Sequence, residues 1–169
     1  MNKNKYYNVL DIACFVINKH NELYPEKGIT NLRLQKLLYF IQCYFYFYYD
    51  EYCFRENMEA WDFGPVSREV YEEFCVYGGG NIPNVESYRF IDKETFEVKK
   101  VDFNARNING IDAGLIQNII EKGSDISDYE LVEITRSQTP WIYNYIKGEK
   151  NKIPNNDIKF FIDINVKGH

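Results

Sequence analysis

The run LLYFIQCYFYFYY at residues 37–49 constrains the fold more than any other stretch, because nearly all of its side chains are apolar or aromatic. It is interrupted by Gln42 and is too short to cross a bilayer, which takes about 20 apolar residues. A helix that is apolar on several faces is buried inside a protein. We therefore expect a central Tyr-rich helix here, capped by Thr30 or Asn31. Its buried stripe is expected to consist of Leu34, Leu37, Leu38, Ile41, Phe45 and Tyr48.

Apolar spacing and capping signals predict the remaining elements. A first helix is predicted at residues 5–23, and alternating residues predict a β-hairpin within 85–103. Further helices are expected to begin at Asp112, after Ser127 with Glu130 as a capping box, at Pro140 with Thr139 as its cap, and after Pro154.

The stretch EAWDFGPVSREVYEEF at residues 59–74 joins two kinds of structure. Residues 58–63 are expected to be extended. Gly64 then frees the backbone and Pro65 presets a first helical turn, which predicts a third helix at about 65–77. The glycines at 78–80 follow that helix, which favours a helix terminator over a phosphate-binding loop.

The chain of 169 residues has the size of one domain, and 45% of its residues are hydrophobic. We expect a mainly α fold: a single compact helical domain around the Tyr-rich helix, with a small β-hairpin as a minor β component. Residues 1–148 are assigned to this domain. Residues 149–169 are expected to form a C-terminal extension with a short helix packed on it.

Charge and cysteine content limit the functional classes. The net charge of −5 gives no concentrated basic face, which makes nucleic acid an unlikely partner and favours a basic or neutral protein. No membrane partner is expected. The cysteines at 14, 43, 53 and 75 form no Cys-x-x-Cys pair, and we expect reduced, buried thiols. Residues 1–8 lead directly into an amphipathic segment, which favours a cytoplasmic protein.

The sequence offers little for catalysis or for a metal. Zinc would need clustered ligands, whereas the two histidines, His20 and His169, lie far apart and the cysteines are scattered. His20 falls on the buried stripe of the first helix, where a structural histidine is favoured over a catalytic base. Five acids against one base between Glu59 and Phe74 favour an acidic, aromatic protein-binding face over an acid–base pair. No catalytic residue, metal or cofactor is predicted.

Three segments in order resemble a known family. They are ITNLRLQKLLYFIQ at 29–42, MEAWDFGPVSREVYEEFCVYG at 58–78 and LVEITRSQTPW at 131–141. Together they resemble the Panacea domain, found in antitoxins and in SocA-like, phage-associated proteins, over roughly residues 5–145. The resemblance implies a mainly helical domain that neutralises a cognate toxin, usually encoded beside it, by direct binding. One SocA-like branch is associated with delivering its toxin to a Clp-type protease.

The resemblance and the acidic, aromatic face at residues 59–74 together supply the candidate partner-binding or motif residues. These are Gln35, Lys36, Tyr39, Glu59, Trp61, Gly64, Pro65, Tyr71, Glu72, Thr135, Arg136 and Trp141. The family commonly has histidine where this chain has Arg136. We expect Trp61 and Trp141 to pack against the second helix, and the polar pair Gln35 and Lys36 to bond to the Trp61–Gly64 turn or to a partner. A direct Lys36–Glu59 bond is a specific hypothesis.

Three functional hypotheses remain at this point. The first is a non-enzymatic antitoxin of a type II toxin–antitoxin system, in a prophage or phage-associated context. The alternative is a SocA-like proteolytic adaptor or regulatory binding protein. The third, an enzyme with a cryptic acid site, requires a deep pocket that converges on Glu59, Lys36 and Tyr39. The sequence does not specify an oligomeric state.

Overall fold

The computed structural model describes residues 6–168. Its helices are α1 (Val9–Leu23), α2 (Asn31–Tyr49), α3 (Arg68–Phe74), α4 (Gly110–Gly123), α5 (Asp128–Arg136), α6 (Thr139–Ile142) and α7 (Asn155–Asn165). Its strands are β1 (Met58–Trp61), β2 (Gly64–Val66), β3 (Ser87–Ile91), β4 (Val98–Asp102) and β5 (Asn151–Ile153). Helices hold most of the regular structure, so the predicted mainly α class with a minor β component is confirmed.

Helix ends follow the local capping signals. The Thr30 side chain accepts a hydrogen bond from the Arg33 amide, and the predicted Ser127–Glu130 capping box is present. Helix α1 begins at Val9, later than predicted, because Asn8 caps it. The predicted start at residue 5 lies outside the described residues, as does His169.

Two other helix boundaries also differ from prediction. Helix α4 begins at Gly110 because the Asn109 side chain caps it. Helix α6 is a single turn that starts after Gln138, so Thr139 is its first residue and not its cap.

Helix α2 is buried along most of its length. It packs against α1, α3, α4, α5, α7 and β2. Five of the six residues predicted for its buried stripe are buried, but Tyr48 near its C-terminal end is 55% exposed. The stripe prediction fails there because the C-terminal end of α2 extends beyond the elements that cover the rest of the helix.

The strands form two separate antiparallel sheets. Strands β3 and β4 form the hairpin predicted within residues 85–103. Strand β1 pairs with β2 on one side and with β5 on the other, giving the order β2-β1-β5. Strand β5 was not predicted, because it is only three residues long and shows no alternating pattern.

The predicted start of the third helix at Pro65 is wrong. Gly64–Val66 is a strand, and α3 begins at Arg68. Proline lacks an N–H and is tolerated on an edge strand, which is the position of β2. The fixed φ of Pro65 suits this strand as well as a helical turn, and pairing with β1 decides between them.

The cysteine prediction holds at three of four positions. Cys14, Cys43 and Cys53 are buried, whereas Cys75 is exposed, and all four are free thiols. Cys75 follows the last residue of α3 and begins a short 3-10 helix, which turns its side chain away from the core. No helix within residues 6–168 is long and apolar enough to cross a membrane.

A candidate protein-binding site at the Trp61 hairpin

The Trp61 hairpin, which we define as Met58–Val66, is held on α2 by a polar pair. Lys36 is completely buried, and its Nζ donates a hydrogen bond to the Pro65 carbonyl at 2.8 Å. Gln35 accepts a hydrogen bond from the Ser67 amide at 2.8 Å. The polar residues of α2 therefore satisfy backbone groups at the end of β2, just beyond the predicted Trp61–Gly64 turn.

Burial also changes the chemistry of the Lys36 amine. Removal from water lowers the pKa of Lys36 to about 7, because a low-dielectric environment disfavours the charged form. A part of the amine population is thus neutral at physiological pH, which reduces the cost of burying it.

Gly64 allows α5 to approach the hairpin closely. Its φ is +96°, and a Cβ at this position would lie 2.7 Å from the Thr135 hydroxyl and 3.0 Å from Lys36 Nζ. Thr135 is itself buried and donates to the Val132 carbonyl. The motif residues Lys36, Gly64 and Thr135 therefore meet at one point, where only glycine fits.

The predicted Lys36–Glu59 bond is wrong. Glu59 is buried and accepts two hydrogen bonds from Arg68, each at 2.9 Å, and one from Trp61 Nε1 at 2.7 Å. A guanidinium can match both carboxylate oxygens at once, which an ammonium cannot. Arg68, nine residues further along the chain, is the true partner of Glu59.

The two tryptophans differ in exposure. Trp141 is buried, donates from Nε1 to the Trp61 carbonyl at 2.8 Å and stacks on Tyr145 with ring centroids 4.3 Å apart. It links α6 to the hairpin. Trp61 is only half-buried, and its ring lies 3.9 Å from Lys150 Nζ and 4.8 Å from the Tyr71 ring centroid.

Two more motif residues have structural contacts. Tyr39 is fully buried and donates to Gln138 Oε1 at 2.7 Å, which ties α2 to the start of α6. The Arg136 guanidinium lies 4.9 Å from the Trp141 ring centroid and 3.5 Å from Glu133. Arg136, at the position where the resemblance gives histidine, thus contacts an aromatic ring.

The exposed part of the site is smaller and less acidic than expected. Glu59 is buried, and Glu73 is bonded to the Arg89 amide. Tyr71 and Glu72 are exposed. The prediction missed Phe63, which is 66% exposed in the turn of the hairpin. An aromatic residue beside Asp62 in a tight turn was the signal that could have revealed it.

The residues named for an acid site do not converge. Lys36, Glu59 and Tyr39 bond respectively to a backbone carbonyl, to Arg68 and to Gln138. Two surface cavities of the described structure are lined by other residues. Within residues 6–168, no group of three or more His, Cys, Asp or Glu side chains could hold a metal ion. The arrangement fits a packed scaffold with a partly exposed aromatic edge.

The match to a family model covers residues 34–142, and the model is described as antitoxin SocA-like, Panacea domain. The chain belongs to this family. The matched residues run from the first turn of α2 to the end of α6, and they include Lys36, Gly64, Thr135 and Trp141. Comparisons with curated proteins and with solved structures gave no match. Membership indicates a general antitoxin-like role.

Proposed function

We propose that this protein is the antitoxin of a type II toxin–antitoxin system and neutralises a cognate toxin by direct binding. Family membership supports the antitoxin role. The observation that carries the direct-binding part is an exposed aromatic edge on a buried, rigidly bonded hairpin. Such an edge loses little conformational freedom on binding, which favours affinity.

The proposed docking face consists of Phe63, Trp61 and Tyr71. Phe63 and Tyr71 are exposed, and Trp61 is half-buried. Large aromatic side chains ringed by charge are typical of the residues that dominate binding energy at protein interfaces. The charges here are of both signs, with Glu72 exposed and Lys150 over the Trp61 ring. Buried Lys36, Tyr39 and Thr135 are proposed to hold this face and not to touch the partner.

Residues 149–169 are proposed to be an integral part of the same unit. Strand β5 pairs with β1 in the register Met58↔Ile153, and α7 packs against α2. Lys150 reaches the ring of Trp61. The segment therefore supports the proposed docking face from the side opposite β2.

The test is co-expression with the adjacent open reading frame, whose product we call the neighbour protein. Expression of the neighbour protein alone should arrest growth, and the antitoxin should relieve the arrest. Phe63→Ser should lose the relief. Phe96→Ser is the matched control, because Phe96 is 81% exposed in the turn of the other hairpin.

Two results of this assay contradict the proposal. Absence of arrest, or arrest without relief, rejects the antitoxin role for that pair. Relief that is equally lost in both phenylalanine variants rejects the docking face. The amount of neighbour protein, followed by immunoblot, should stay constant during relief, whereas a fall would indicate delivery to a protease such as a Clp-type enzyme.

A further inference from the structure

A second candidate site lies at the other end of α2, separate from the Trp61 hairpin. Tyr49 is thirteen residues beyond Lys36 in the helix, which corresponds to about 20 Å along its axis. There the end of α2, the following loop, the start of α4 and Tyr7 enclose a cavity of about 610 Å³. The cavity opens to the surface, and no residue of the Trp61 hairpin or of its contacts described above lines it.

The walls of this cavity are aromatic and its charges are negative. Its aromatic and acidic lining residues are Tyr7, Phe45, Tyr49, Tyr52, Glu51 and Asp112. None of its described lining residues is a lysine or an arginine. Faces of aromatic rings attract cations, and carboxylates beside them add direct charge attraction.

The Asp112 carboxylate lines this cavity and is held in place by hydrogen bonds. One of its oxygens accepts hydrogen bonds from the Tyr7 hydroxyl at 2.5 Å and from Asn109 Nδ2 at 2.6 Å. Burial and the hydrogen bond to Asp112 raise the pKa of Tyr7, so its hydroxyl remains a donor. Both bonds are accepted by Oδ2, and none of the described residues that line the cavity is a cation that could pair with this carboxylate.

Two backbone features bear on the sign of the ligand. The cavity lies at the C-terminal end of α2, where the helix dipole favours positive charge. The N-terminus of α4 is also present and would by itself favour an anion. However, the Asn109 side chain already accepts from the Asp112 amide at 2.9 Å, and the Asp112 carboxylate itself stands in this first turn. An incoming anion would therefore meet the Asp112 carboxylate.

We propose that this cavity binds an arginine side chain of a protein partner. A guanidinium can stack on tyrosine rings and bond to a carboxylate in the same pose. The cavity is larger than a guanidinium alone needs, which leaves room for the side-chain stem and its flanking backbone. The net charge of −5 attracts a basic protein surface in the first place. This inference holds whether or not the partner is a toxin.

The test uses the whole chain and a short probe peptide, acetyl-Gly-Arg-Gly-amide. Its citrulline analogue has the same shape without the charge. Backbone amide NMR signals of Gly110 and Ile111, which line the cavity, report binding. We expect the arginine peptide to shift these signals, with a dissociation constant on the order of 1 mM for so small a probe. The citrulline peptide should bind at least about tenfold more weakly.

Three variants make the test specific to the cavity. Asp112→Asn should weaken the arginine peptide about tenfold, the loss of one charge-assisted contact. Asp125→Asn is the matched control, because Asp125 is 96% exposed outside the cavity, and it should bind as the parent does. Tyr49→Leu removes an aromatic wall from a partly exposed position. It should weaken binding even if Asp112→Asn proves too unstable to measure.

Three results would overturn the proposal. The first is equal affinity for the arginine and citrulline peptides. The second is unchanged binding in folded Asp112→Asn or Tyr49→Leu. The third is equal affinity for free guanidinium ion and for the arginine peptide. That result would show that the cavity binds a free cation and not a side chain. Loss of growth relief in Phe63→Ser does not bear on these outcomes, so the two proposals fail independently.

Discussion

Replacing Lys36 by methionine should make the protein more stable at low pH and less stable at high pH. The folded-state pKa of Lys36 is about 7, against an ordinary value of 10.5. Below pH 7 the amine is charged in both the folded and unfolded states, so the full cost of burying the charge weakens the fold. As the pH rises from 7 to 10.5, the folded state is neutral while the unfolded state still binds a proton, and stability increases.

The size of the effect follows from the same pKa values. The interval from 7 to 10.5 corresponds to roughly 5 kcal/mol of stability. Methionine carries no charge and avoids this cost, but it leaves the Pro65 carbonyl without its donor, which costs about 2 kcal/mol at every pH. Lys36→Met should therefore be more stable than the parent by roughly 3 kcal/mol at pH 6 and less stable by roughly 1 kcal/mol at pH 10.

Urea unfolding of the parent and the variant at several pH values between 6 and 10 measures this difference directly. Subtracting the two free energies of unfolding removes the contribution of the other titrating groups. Lys100→Met, on the exposed strand β4, is the control and should leave the pH dependence of the parent unchanged. A difference between Lys36→Met and the parent that stays constant from pH 6 to pH 10 would refute the reasoning.

Three further predictions test the contacts around the hairpin and the core. Gly64→Ala should destabilise the fold by about 2 kcal/mol, because the new Cβ would collide with the Thr135 hydroxyl. Gly114→Ala lies in an open helical position and should stabilise the fold by up to about 1 kcal/mol. Thermal or urea unfolding measures both changes. Glu59→Gln and Arg68→Met should show a coupling free energy of about 1 kcal/mol in a double-mutant cycle, because the two side chains are bonded to each other. Glu59→Gln and Lys36→Met should be additive in the free energy of unfolding. Cys75 should react with Ellman's reagent in the native state, whereas the three buried thiols should react only after unfolding. Fast reaction of a second thiol in the native protein would contradict the described packing.

Local signals in the sequence were enough to find most helices. A capping side chain acts on amides two or three residues away, so Thr30 and Ser127 could be recognised without knowing the fold. Pro65 shows where this fails. Its preset φ suits a helix start and an edge strand equally, and only pairing with β1, a tertiary contact, selects the strand.

The candidate site was predictable as a set of residues but not as a set of contacts. The polar pair Gln35 and Lys36 in an apolar helix indicated that hydrogen-bond partners had to exist. Their partners are backbone groups of Pro65 and Ser67, which carry no side-chain signal in a sequence. Because backbone groups carry no such signal, the charge of Lys36 suggested the Glu59 side chain as its partner. In the structure β1 and α3 place Glu59 beside Arg68 instead.

The central claim is that the Trp61 hairpin is held in place before a protein partner binds and that it forms the proposed docking face. Hydrogen–deuterium exchange of the chain, free and bound to the neighbour protein, tests it most directly. The account predicts that the amides of β1 exchange slowly in the free protein and that binding slows exchange further within residues 61–72. Rapid exchange of β1 in the free protein, or slowing on binding that leaves residues 61–72 unaffected, would contradict it.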